Sequence, residues 1–169
     1  MRAKRILVPL DGSEMAEAAI AEARQLARSD STLVLVRAAS ALSMPGTDMV
    51  DTQVYAVQEA EAYLDSLKAR LEAQGVFGIE THVWYGPAGA AIVEAARFYG
   101  ADVIVMSTHG RSGLGRLVFG SVAESVLRGT TLPILLVRAS DAPVERPAGH
   151  SEAAPARHLA PTPRTEATR

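Results

Sequence analysis

Five short apolar runs recur along the chain, and the segments between them carry apolar residues at helical spacing. Ile6 to Leu10 is the first run, Leu33 to Val36 continuing to Ala38 the second, and Ile79 to Trp84 the third. Asp102 to Met106 is the fourth and Leu132 to Val137 the fifth. Continuous apolar runs of this length suit strands covered on both faces, as in a parallel sheet. The third run alternates apolar and polar residues, which predicts a half-exposed strand near an edge. Its polar phase puts His82 toward solvent, with no second histidine at metal spacing.

The intervening segments read as helices. Ser13 caps the first, which runs to about Arg28 with Ala16, Ala19, Ile20, Ala23 and Leu26 inward. The second runs from about Thr52 to Gln74, with Val54, Val57, Ala60, Ala62, Leu64, Leu67 and Leu71 as its stripe and Gly75 as its C-cap. Residues 39–51 before it show no periodicity and read as a mobile loop. The third helix opens at Gly86-Pro87, buries Ile92, Val93, Ala96 and Phe98, and closes at Tyr99-Gly100. The fourth runs from Gly120-Ser121 to about Arg128. Strand–helix alternation gives an α/β fold: a doubly wound five-stranded parallel sheet with helices on both faces. Right-handed crossovers with one reversal of winding give the flavodoxin-like order 3-2-1-4-5. The first and fourth strands are then neighbours at the switch point.

That order focuses attention on the stretch from Ala101 to Arg128. It passes from a buried strand through a small, polar, glycine-bearing loop (Ser107 to Gly115) into a helix start at Gly120-Ser121. Glycines let a backbone come close to a ligand, and N–H groups opening a helix point at an anion, so the arrangement suits phosphate. The same spacing also describes an ordinary strand-to-helix corner. Asp11, just past the first strand, likewise has two readings: a turn or capping aspartate, or a carboxylate in the crevice where open α/β sheets bind ligands. The predicted order opens both features into one crevice.

Composition narrows the rest. The chain has 169 residues, 48% hydrophobic, with net charge −2. This suits one domain with a sizeable core and gives no sign of a nucleic-acid surface. With no cysteine there are no disulfides or thiolate metal sites. No apolar segment reaches the roughly 18 residues of a membrane span. A soluble, cytoplasmic protein is expected. Residues 140–169 hold five of the nine prolines and little apolar content beyond alanine. They read as a disordered Pro/Ala-rich tail after a domain at 1–139. His150 and His158 in it are too isolated to suggest a metal.

Ile6-Leu7-Val8-Pro9-Leu10-Asp11-Gly12-Ser13, Ala101 to Met106, Ser107-Thr108-His109-Gly110-Arg111-Ser112-Gly113 and Gly120-Ser121-Val122 together resemble the universal stress protein family, in its single-domain form, over about Lys4 to Arg138. ATP-binding members of that family carry glycine, two residues, glycine, nine residues, then glycine and serine or threonine. Here Gly110 fits the second glycine and Gly120-Ser121 the end, while Ser107 replaces the first glycine. The resemblance implies an adenine-nucleotide site. Pro9, Leu10 and Asp11 would border the adenosine, and Ala38 would offer backbone contacts to the base. Met106, Ser107, His109, Gly110, Arg111, Gly113, Gly120, Ser121 and Val122 would surround the phosphates. ATP with Mg²⁺ is the implied cofactor, Asp11 the candidate metal ligand, and a homodimer through strand 132–138 the implied assembly.

Three functions remain open: a nucleotide-dependent stress or signalling protein, a slow ATPase or phosphotransferase, and a nucleotide-independent interaction module. The glycine-lysine-serine/threonine ending of P-loop NTPases is absent, and no lysine lies in the loop. The expectation is therefore a binder rather than a fast catalyst. A serine hydrolase elbow is also missing, since Gly110 to Gly113 has the wrong spacing for it.

Overall fold

The computed structural model describes residues 3–40, 49–108 and 120–138. The elements are β1 (Arg5–Leu10), α1 (Glu14–Leu26), β2 (Thr32–Ala39), α2 (Met49–Ala73), β3 (Ile79–Tyr85), α3 (Ala88–Phe98), β4 (Val103–Ser107), α4 (Ser121–Gly129) and β5 (Ile134–Val137). The strands form one sheet in the order β3-β2-β1-β4-β5, every pairing parallel. The reversal of winding falls between β1 and β4, as predicted.

Alternation along β1 divides the core in two. Ile6, Val8 and Leu10 face α1 and α2, meeting Ala19, Ile20, Ala23, Leu64 and Leu67. Leu7 faces α3 and α4, in the layer of Val34, Val36, Ile92, Ala95, Ile104 and Val126. Ile6, Leu7 and Val8 are wholly buried. Burying each such side chain contributes roughly 1.5–3 kcal/mol, so the central strand must be apolar at every position. The helices on the second face pack closely. A Cβ on Gly89 of α3 would stand 2.5 Å from the Cβ of Ser125 in α4.

Four expectations need correction. α2 begins at Met49, three residues earlier than its periodicity suggested, so residues 49–51 belong to a helix and not to the loop. Val54 and Ala62 are exposed, and the true inward set is Ala60, Leu64, Leu67 and Leu71, one position per turn. Phe98 is 73% exposed, because Ala91, Ala95 and Ala96 already fill the buried side of α3. His82 is not simply solvated. Its ring stacks on Tyr99 at 3.9 Å, with Nε2 3.5 Å from Glu80 Oε2.

Carboxylates fasten the start of β1. Asp102 Oδ2 accepts from the backbone N–H of Lys4 at 2.7 Å and of Arg5 at 2.9 Å. The Arg5 guanidinium donates to Glu80 Oε1 at 3.3 Å and Oε2 at 2.6 Å, linking β1 to β3 across β2. The two backbone donors hold the Asp102 carboxyl below its ordinary range, and the Arg5 hydrogen bonds do the same for Glu80. Both groups therefore bind protons more weakly folded than unfolded. Their contribution is complete above the unfolded carboxylate pKa of about 4 and is lost as pH falls through the lower folded values. Urea titrations below pH 4 are expected to show stability falling less steeply with acidification in an Asp102→Asn/Glu80→Gln variant than in the parent. Equal slopes would contradict this assignment.

Candidate functional site

A cavity of about 400 Å³ opens at the carboxyl ends of β1, β2 and β4, against the starts of α1, α3 and α4. This is the switch-point crevice of the topology, where outward-diverging connections leave room for a ligand. The volume lies within the usual range for small-molecule sites, roughly 300–1,000 Å³.

Nine residues singled out from sequence line it: Pro9, Leu10, Asp11, Ala38, Met106, Ser107, Gly120, Ser121 and Val122. His109, Gly110, Arg111 and Gly113 lie outside the described residues, so their placement is not part of this geometry. Ala16, Arg37, Ser40, Ala88, Ile92, Thr108 and Ala123 also line the cavity and were not anticipated.

On one wall, β1 ends and the chain turns through Gly12 at φ 86°, a conformation that suits glycine. Asp11 Oδ1 accepts from Ser13 N–H at 2.9 Å and from Ser13 Oγ at 2.6 Å. Ser13 Oγ in turn accepts from Ala16 N–H at 3.2 Å, capping α1. The two readings of Asp11 are thus compatible, since one carboxylate shapes the turn and also borders the cavity.

On the facing wall, α4 starts at Ser121 with Gly120 as N-cap and no side-chain cap. The first N–H groups of a helix have no partner within it. Those of Ser121, Val122 and Ala123 open α4 at the cavity, with the positive end of its dipole. Gly120 N–H donates to Thr108 O at 3.1 Å, joining the end of β4 to the start of α4. Thr108 N–H donates to Val137 O at 2.9 Å, tying that junction to the outermost strand. A Cβ on Gly120 would stand 3.3 Å from Thr108 O, so the approach favours glycine.

The third wall holds Arg37, a cation 5% exposed at the end of a buried strand. It donates through Nη2 to Glu59 at 2.9 and 2.7 Å and lies 4.8 Å above the ring of Tyr63. Tyr63 Oη donates to Glu17 Oε1 at 3.0 Å, and Arg70 pairs with the same carboxylate. Burial pushes the Tyr63 phenol well above its ordinary pKa, with Glu17 adding to the shift. This chain of contacts joins α1, β2 and α2 beside the cavity. No local signal in sequence marks it, because Arg37 is buried by residues 22 and 26 positions away.

Among the described residues, no cluster of three histidine or acidic groups could hold a metal, and no helix is long and apolar enough to cross a membrane. The cavity presents one carboxylate, Asp11, at its edge.

The five-stranded parallel sheet in the order 3-2-1-4-5, with a cavity at its switch point, defines a doubly wound α/β protein. The model of the Universal stress protein family matches residues 2–138, and the chain belongs to that family. A universal stress protein of Methanocaldococcus jannaschii is 32% identical over 140 residues, covering 80% of this chain and 82% of that one. The solved structure of hypothetical protein MJ0577 superposes with a TM-score of 0.74 at 26% identity, covering 83% of this chain and 99% of that one. A universal stress protein in complex with cAMP superposes with a TM-score of 0.62 at 25% identity, covering 81% and 98%.

The Arg37–Glu59 pair gives a test of the third wall. Removing one member of a buried pair leaves an uncompensated charge. The loss is moderated here because the Glu59 side chain is 51% exposed. Glu59→Ala is expected to cost about 1–3 kcal/mol by chemical denaturation. Arg37→Met added to it should recover part of that cost. A double variant less stable than Glu59→Ala alone would show that Arg37 stabilises the fold without its counter-ion.

Proposed function

We propose that the cavity binds an adenine nucleotide, ATP with Mg²⁺ in the first instance, and that occupancy rather than rapid turnover is the output. The observation that carries this reading is the uncapped start of α4 facing Asp11 across a switch-point cavity. It is supported by family membership and by the relative that holds cAMP. Phosphate oxygens would accept from the amides of Ser121 and Val122 and from the Ser121 hydroxyl. Residues 109–113, with Gly110, Arg111 and Gly113, would complete the phosphate wall. Asp11 would accept from the ribose or share the cation, and Pro9, Leu10, Ala38 and Met106 would frame the nucleoside. In this reading Ser107 replaces a glycine without closing the cavity, since a small hydroxyl side chain still lets the backbone approach. The setting is cytoplasmic, and the nucleotide-binding domain is residues 1–139, followed in sequence by the Pro/Ala-rich tail 140–169.

We also propose the homodimer through strand 132–138. β5 is an outer strand in which Leu135 is 37% exposed, and Leu127 on α4 is 50% exposed. Unpaired strand edges invite pairing, and a two-fold copy would cover this one. Because Thr108 N–H donates to Val137 O, nucleotide contacts at the end of β4 would reach that edge.

Two substitutions at one position test the phosphate contacts. Ser121 is the first helical residue, where proline is tolerated, and Gly120 at φ −56° and ψ 149° suits a residue before proline. Ser121→Ala removes the hydroxyl, whereas Ser121→Pro removes the hydroxyl and the amide donor. Calorimetry with Mg²⁺ and ATP is expected to show affinity roughly ten- to a hundredfold weaker for alanine and weaker again for proline, at about 1.5–3 kcal/mol per charge-assisted bond. Equal affinities would move the phosphates elsewhere, and no binding at millimolar ATP would remove the reading. Light scattering at micromolar concentration is expected to give a mass of two chains. A Leu135→Lys variant should give one.

A further inference from the structure

The edge of the sheet opposite β5 carries a cluster of rings that the nucleotide reading does not use. Trp84 of β3 lies 5.4 Å from Phe98 and 5.8 Å from Tyr99, ring centre to ring centre. Phe98 and Tyr99 meet edge to face at 5.0 Å, and Tyr99 stacks on His82. Phe98 is 73% exposed, while Trp84 and Tyr99 are half-buried against the core, so the cluster meets solvent chiefly through Phe98. Trp84 Nε1–H donates to Glu94 Oε2 at 3.2 Å, which sets an exposed carboxylate beside the indole. Glu94 and Phe98 are four residues apart on α3 and therefore share a helix face.

Exposed aromatic rings with a neighbouring carboxylate suit a segment rich in proline and arginine. Proline rings pack on aromatic faces at low entropic cost because the extended helix is preformed. The chain contains such a segment. Residues 155–164, Pro-Ala-Arg-His-Leu-Ala-Pro-Thr-Pro-Arg, hold three prolines, two arginines, no acidic residue and a leucine. Elsewhere in residues 139–169, prolines and arginines are interspersed with aspartate or glutamate, and Val144 is the only other large aliphatic residue.

The distance permits docking. β5 and β3 are separated by four strand spacings, about 19 Å at ~4.8 Å each. The sixteen residues 139–154 span up to about 55 Å extended and about 22 Å as a flexible coil. We propose that residues 155–164 of the chain dock on the Trp84–Phe98–Tyr99 patch of the same molecule, their prolines and Leu159 on the rings and an arginine on Glu94.

Two features of the sequence make this testable in the full chain. Trp84 is its only tryptophan, and it has no cysteine. An Ala154→Cys variant therefore takes a nitroxide at one place, and the indole N–H of Trp84 gives one isolated resonance. The expected result is at least twofold broadening of that resonance, relieved when Leu159, Pro161 and Pro163 are all replaced by serine. Thermal melting of the labelled chains serves as the control for folding. Mixing unlabelled ¹⁵N chain with nitroxide-bearing ¹⁴N chain should leave the resonance sharp. Broadening in the mixture would assign the patch to the segment of a second copy and overturn the proposal. Absence of broadening, or broadening unchanged by the triple substitution, would overturn it as well.

Discussion

Burial of β1 on both faces is the constraint from which the rest of this architecture follows. A strand whose consecutive residues Ile6, Leu7 and Val8 are all inaccessible must have helices above and below it. Parallel neighbours on both sides then require crossovers that leave in opposite directions. The place where those crossovers part leaves a cavity at the carboxyl end of the strand. The cavity is therefore a consequence of packing rather than an addition to it. Its polar groups, Asp11 and the start of α4, sit where the core ends.

The reader of the sequence could recover most of this because the strands and helices are signalled locally. Four apolar runs and one alternating run gave the five strands, and right-handed crossovers with one reversal of winding gave the order of the sheet. The errors came from residues whose fate depends on distant partners. Phe98 reads as a core residue from its spacing, but alanines had already filled the interior face of α3. Val54 fits the stripe of α2, yet it is 49% exposed, and the buried positions of that helix begin only at Ala60. His82 falls on the polar phase of β3 and is nonetheless held by Tyr99, seventeen positions on.

The candidate site divides in the same way. Asp11, Ser107 and Gly120-Ser121 are visible because turns and helix starts have short-range chemical signatures. Arg37 is not, since nothing beside it in sequence distinguishes a buried cation from a surface one. Its burial is made possible by a carboxylate and a phenol on another helix. Such a residue is found only when tertiary contacts are known. Here those contacts place α2 in direct mechanical connection with one wall of the cavity, through Glu59 and Tyr63.

The bare glycine at the head of α4 has one more implication. A helix of nine residues with glycine at its N-cap loses only a few tenths of a kcal/mol relative to serine or aspartate there, but it leaves its first N–H groups without a side-chain acceptor. On the proposed reading the missing cap is supplied from solution by an anion. Ligand that prefers the folded chain raises its melting point in proportion to the logarithm of concentration. The lifetime of the fold would then report how much nucleotide surrounds it, and a cell short of nucleotide would hold a softer version of the same molecule.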